Sequence, residues 1–228
     1  MQRTPNTPNG SLATQASPNP DRSLVLSYIG LRRSIGIIGL ALPFVLAFGK
    51  ILLESPGLLP SISAYYYSVM RDVFVGAMCA TGVFLLSYRY SRLDDIAGDI
   101  AGIAAFGIAF FPGAPAKGAT EQQMIIGKVH LGFAAVFFLT LAFFALVLFQ
   151  RLDWNKQLTP EKLQRNGVYR ASGIAMLVFF ALLLVDLLFL QDNQGFQSLN
   201  PGFWLESLAI FAFGIAWFVK GETLMKDK

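Results

Sequence analysis

Residues 171–190 read ASGIAMLVFFALLLVDLLFL, twenty positions carrying a single charge, Asp186. At 1.5 Å of rise per residue, a helix of this length matches the roughly 30 Å hydrocarbon core of a bilayer. A helix of a water-soluble domain would keep one polar face, and this run has none. Five other apolar runs resemble it, at 35–53, 73–88, 96–111, 129–149 and 203–219. The runs at 73–88 and 96–111 are short, which predicts extension into flanking polar residues or a thinned region of bilayer. These runs predict an all-α, polytopic membrane protein, with six transmembrane helices in one bundle over residues 29–222.

Composition points the same way. Of 228 residues, 54% are hydrophobic and 14% are charged, against about 25% charged in soluble domains. A net charge of +4 with no basic run interleaved with aromatics gives no reason to expect a nucleic-acid partner. The single cysteine, Cys79, rules out an internal disulfide and a cysteine-based zinc site. The single histidine, His130, argues against an ordinary zinc site and excludes haem held by paired histidines. No phosphate-cradling glycine motif follows a strand pattern. No metal and no cofactor are expected.

Residues 1–28 are expected to be a disordered cytoplasmic tail, because the stretch MQRTPNTPNGSLATQASPNPDR is too polar to bury a core. It lacks the basic-then-apolar order of a signal peptide. Helix starts are written at Thr120-x-x-Gln123, a capping box, at Thr159-Pro160-Glu161, and at Asn200-Pro201. With six spans and an inside N-terminus, only Lys50, Arg71, Lys117 and Lys128 of the 18 Lys and Arg fall outside. Both termini are therefore expected in the cytoplasm, with 223–228 as a short tail. Tyr88, Tyr90, Trp154 and Tyr169 mark the inner interface; Tyr65, Tyr66, Tyr67 and Trp204 mark the outer one. The expected location is the cell membrane, inner or plasma, with membrane lipids as partners; oligomeric state is left open.

Polar residues gather at the outer level. Asp72 opens the second span, Lys128 and His130 the fourth, Asp186 nearly closes the fifth, and Glu206 lies early in the sixth. Ser61 and Ser63 precede the three tyrosines, and Gln123, Gly127, His130 and Ala134 share one face of the fourth helix. Each residue also has a plainer role. Glu206 suits a helix start, Lys128 and Arg71 can snorkel, and a lone histidine suits an interfacial hydrogen bond. Asp186, flanked by apolar residues, must face protein or water, or be protonated. Ser61, Ser63, Asp72, Gln123, His130, Asp186 and Glu206 are thus the candidates for an outward-facing polar pocket between the second, fourth, fifth and sixth spans. Such a pocket would bind or sense a lipid headgroup or small polar ligand. A metal-independent lipid-modifying enzyme would use Ser63 as nucleophile, His130 as base and Asp72 as the orienting acid. A small proton-coupled transporter would use Asp99, Asp186 and Glu206. On the inner side Asp99 is expected to pair with Arg89, Arg92 or Arg33. The Gly98-x-x-x-Gly102 pattern and the Ala97, Ala101, Ala105, Ala109 stripe predict a closely packed third helix.

These residues also carry a resemblance. The segment PSISAYY at 60–66 with RDVFVG at 71–76, His130, Lys162-x-x-Arg165-Asn166-x-x-Tyr169, Phe203-Trp204-x-Glu206, Phe213-Gly214 and WFVKG at 217–221 resemble a group of bacterial six-span membrane proteins. That group is similar in layout to the DRAM/FRAG-type family. The resemblance covers most of residues 30–221 and implies a six-helix bundle, without an activity. A more distant likeness, to seven-span hydrolases built on Ser, Asp and several His around zinc, fails on span number and on the single histidine.

Overall fold

The computed structural model describes residues 20–116, 118–152 and 159–221, and among them every regular element is helical. The helices are α1 (Pro20–Leu53), α2 (Arg71–Leu86), α3 (Arg92–Phe110), α4 (Glu121–Phe143), α5 (Pro160–Val185), the short α6 (Gln194–Gln197) and α7 (Pro201–Lys220). A 3₁₀ turn at Ser63–Tyr67 precedes α2, and wide π turns extend α4 through Leu148 and α5 through Leu190. Residues 1–19, Lys117, 153–158 (with Trp154 and Lys156) and 222–228 lie outside the described residues, so the expectations that fall there concern sequence only. Residues 20–28, assigned above to the tail, are the first turns of α1.

Among the described residues, four helices are long and apolar enough to cross a membrane: Ile29–Leu53, Glu121–Leu148, Pro160–Leu190 and Pro201–Lys220. The other two predicted spans fall short for visible reasons. α2 has 16 residues, and α3 places Asp94, Asp95 and Asp99 in its first turns. The capping signals form largely as written. Thr120 and Gln123 make a reciprocal capping box, and Thr159 accepts from the Lys162 N–H. Asn200 differs: it adopts the left-handed conformation, φ 53°, and makes no side-chain cap, a backbone state that Asn tolerates better than most residues.

The long helices alternate in direction, each packs on the next, and α7 closes the ring against α1. Glycine sets the closest approaches. A Cβ on Gly36 would lie 2.7 Å from the Phe218 backbone nitrogen, and one on Gly98 would lie 2.7 Å from the Leu85 carbonyl. Gly102 meets Gly82 and Leu86, while Ala97, Ala101, Ala105 and Ala109 are all buried, as the small-residue pattern of α3 predicts. At one end, Trp217 is buried among Tyr88, Phe144, Phe149 and Phe213. The other end is built from polar loop residues, and the candidate site lies there.

Candidate functional site

Glu206 is the hinge of the site. One turn earlier α7 abuts residue 60, where a Cβ on Gly202 would stand 2.6 Å from the Pro60 carbonyl. That closeness brings the Glu206 carboxylate under the start of the 3₁₀ turn. Its Oε2 accepts from the backbone N–H of Ile62 at 2.7 Å and of Ser63 at 3.2 Å. A 3₁₀ turn leaves its first N–H groups without partners inside the turn; here an acid from a distant helix caps them. Ser61 completes the turn by accepting from the Ala64 N–H, and its Oγ lies 3.1 Å from the Ser63 Oγ.

His130 enters from α4. Its Nδ1 is 2.7 Å from the Phe111 carbonyl, the extended residue that ends α3. A carbonyl only accepts, so Nδ1 carries the proton, and in the neutral ring Nε2 is an acceptor. A Cβ built on Gly113 would lie 3.6 Å from the Ser63 Oγ and 3.9 Å from His130 Nε2. Serine and histidine thus flank one spot that glycine leaves open. The Tyr67 hydroxyl donates to the Gly113 carbonyl at 2.8 Å, tying this loop to the 3₁₀ turn. Tyr65 is fully buried, next to Phe203, and burial pushes its phenol above the ordinary range. It packs as a neutral group, not as part of an interfacial belt.

Ser63, His130 and Glu206 line one cavity of about 70 Å³ that reaches down to Thr81 between α1, α2, α3, α4 and α7. The rest of its wall is mostly apolar, with Leu42, Phe74, Met78, Phe137 and Phe213 prominent. Gly39 also lines it. Pro43, inside α1, has no N–H to return to the Gly39 carbonyl. Thr81, Gly39 and Pro43 carry no sequence signal that separates them from ordinary helix residues.

The structure separates the other candidates from this cavity. Asp72 is exposed in the first turn of α2, and a backbone carbonyl holds His130 where Asp72 would orient it. Gln123 uses its side chain on the Thr120 N–H, 2.9 Å. Asp186 is 6% exposed and accepts from Gln197 at 2.6 Å and Gln191 at 3.3 Å, closing the turn between α5 and α7. No residue of α5 lines the cavity; the expected fifth-span wall is replaced by α1, which Gly36, Gly39 and Gly214 bring into backbone contact with α7. Among the described residues His130 forms no ion pair with an acid, and Arg89–Asp99, 2.6 Å, is an exposed pair at the opposite end. Comparisons with family models, curated proteins and solved structures find no match to this chain.

Proposed function

We propose that the chain is a six-span membrane protein that binds the polar end of a lipid, or a small polar ligand, in the cavity bounded by Ser63, His130 and Glu206. The spans are α1 to α5 and α7, the layout of the DRAM/FRAG-type group. Support for counting α2 and α3 comes from their outer faces. Val73 and Val83 on α2, and Leu93, Ile96, Ile100 and Ile103 on α3, are exposed, while the inner face of α3 is Ala and Gly. Water would favour the reverse pattern; lipid favours this one. The charges of α3 lie within its first two turns, at interface depth.

One observation carries the binding role: a cavity with an acceptor nitrogen, a hydroxyl and a carboxylate at one end, and aromatic and aliphatic walls below. Binding sites commonly combine a largely apolar lining with a few placed polar groups. At about 70 Å³ it suits a headgroup or a few methylenes rather than a whole lipid. In the proposed topology this end faces outside the cell, which the basic-residue asymmetry favours. Native mass spectrometry of the purified chain with added phosphatidylethanolamine tests the role. Ala134→Leu should fill the cavity, and His130→Ala should remove the acceptor, so that both lose bound lipid relative to Asp186→Asn. Equal retention by all three would refute the proposal.

A second reading, a serine-dependent lipid-modifying enzyme, draws on the convergence of the Ser63 Oγ and His130 Nε2 at Gly113. It predicts that a fluorophosphonate probe labels Ser63, and that Ser63→Ala abolishes the label; an unlabelled wild type counts against it. The transporter reading has less support, because Asp99, Asp186 and Glu206 each have local partners in separate places.

A further inference from the structure

We infer that the end of the bundle opposite the cavity holds a binding site for a phosphate-type anion, centred on Arg32 and Lys220. The Arg32 guanidinium lies 5.3 Å from the Tyr88 ring and 5.6 Å from that of Tyr90. The Lys220 ammonium lies 5.9 Å from the same Tyr90 ring and 5.2 Å from that of Phe149. Two cations from different helices therefore share one aromatic ring. Arg32 is only 9% exposed, so it does not reach water as a snorkelling residue does. Its Nη2 donates to the Tyr88 hydroxyl at a long 3.4 Å, and its buried Nε has no hydrogen-bond partner among the described residues. Among the same residues, the buried indole N–H of Trp217, which stacks edgewise on Tyr88, has none either.

Charge adds to the geometry. Lys220 feels the like charges of Arg32, Lys162 and Arg165, and among the described residues Asp94 is the one acid acting on it. Asp94 is already hydrogen-bonded by the Ser91 hydroxyl. Lys162, which donates to the Phe149 carbonyl, and Arg165 have partners of their own and act on Lys220 as like charges. Aromatic faces attract a cation without neutralising it, and like charges brought together away from water repel more strongly than in water. An anion between Arg32 and Lys220 would relieve that repulsion and take the unpartnered N–H groups. Guanidinium, ammonium and neutral N–H donors together suit a tetrahedral oxyanion with several acceptor oxygens. The ligand is a phosphate group, carried by an anionic phospholipid or free in solution. Basic pockets between membrane helices on the cytoplasmic side are a known setting for lipid phosphates, and the basic-residue asymmetry places this end there.

The test uses the full chain in two arms. In neutral detergent, inorganic phosphate is titrated against chloride at constant ionic strength. In nanodiscs, phosphatidylglycerol replaces phosphatidylcholine stepwise. Thermal midpoint and native mass spectrometry report binding, because a ligand that binds only the folded state raises its stability. Arg32→Gln and Lys220→Gln should each weaken binding about tenfold or more, and Arg32→Lys should weaken it less than Arg32→Gln. Arg170→Gln, an exposed site on α5, should leave binding unchanged. Saturable binding of phosphatidylglycerol alone assigns the site to a lipid headgroup; binding of inorganic phosphate alone assigns it to the free ion; both outcomes support the inference. No binding of either probe overturns it, as does an equal loss in Arg170→Gln or an undiminished affinity in both Arg32→Gln and Lys220→Gln. Mass spectrometry counts ligand on the folded species, so a variant that merely unfolds is not scored as a loss.

Discussion

At the scale of single residues, glycine and the acids show how local contacts decide cost. A methyl group on Gly36 collides with the Phe218 backbone, which cannot swing aside, whereas nothing lies within 4 Å of the same group on Gly132. Gly36→Ala should therefore destabilise the chain by about 1–3 kcal/mol through overpacking. Gly132→Ala should be neutral or stabilising by up to about 1 kcal/mol, because alanine is the better helix former. Unfolding in mixed micelles measures both. Asp99 is half exposed and, among the described residues, paired with the equally exposed Arg89, so Asp99→Asn should leave stability nearly unchanged. A larger loss, or an effect confined to transport, would return Asp99 to the list of functional acids. Glu206 offers the opposite case. Its carboxylate satisfies two backbone donors, and Glu206→Leu should cost about 1–3 kcal/mol for each N–H left unpaired. Glu206→Gln, which keeps one acceptor oxygen, should cost less.

At the scale of elements, the link between α5 and α7 depends on one buried carboxylate. Asp186 opens the π turn that ends α5, and Gln197 of α6 reaches it at 2.6 Å while also donating to the Leu190 carbonyl. Because the two side chains contact each other, Asp186→Ala and Gln197→Ala should be non-additive by about 0.5–3 kcal/mol in a double-mutant cycle. Strict additivity would mean that the turn is held by packing alone. The acid amid apolar residues was legible as a group that must face protein or water, or be protonated, since lipid would penalise it. Its partners were not, because Gln191 and Gln197 lie in a polar connector whose path the helical pattern does not specify.

At the scale of the whole molecule, the asymmetry of the basic residues predicts a topology that labelling can check. In a Cys79→Ala background, an impermeant thiol reagent added from outside should modify Gly118→Cys, and should reach Gln164→Cys only after permeabilisation. The reverse pattern would invert the assignment of the cavity and the Arg32–Lys220 cluster to outside and inside.

The residue order alone determined the helical class, the apolar runs and the caps at Thr120 and Thr159, because length, hydropathy and capping act over at most a few turns. It also placed Ser63, His130 and Glu206 among seven polar candidates, together with Ser61, Asp72, Gln123 and Asp186. Which of the polar residues meet was decided only by tertiary structure. Asp72, Gln123 and Asp186 sit at a similar level of the chain as His130, yet each is drawn away by exposure, a helix cap or a pair of glutamines. Ser63 and Glu206 are brought together by Gly202 against Pro60, and α1 takes the cavity wall from α5 through Gly36 and Gly214. The Arg32–Tyr90–Lys220 cluster likewise joins three segments far apart in the chain. Helix rotation and closest approach set all of these, and both depend on how small residues on different helices fit together, which no single stretch of sequence encodes.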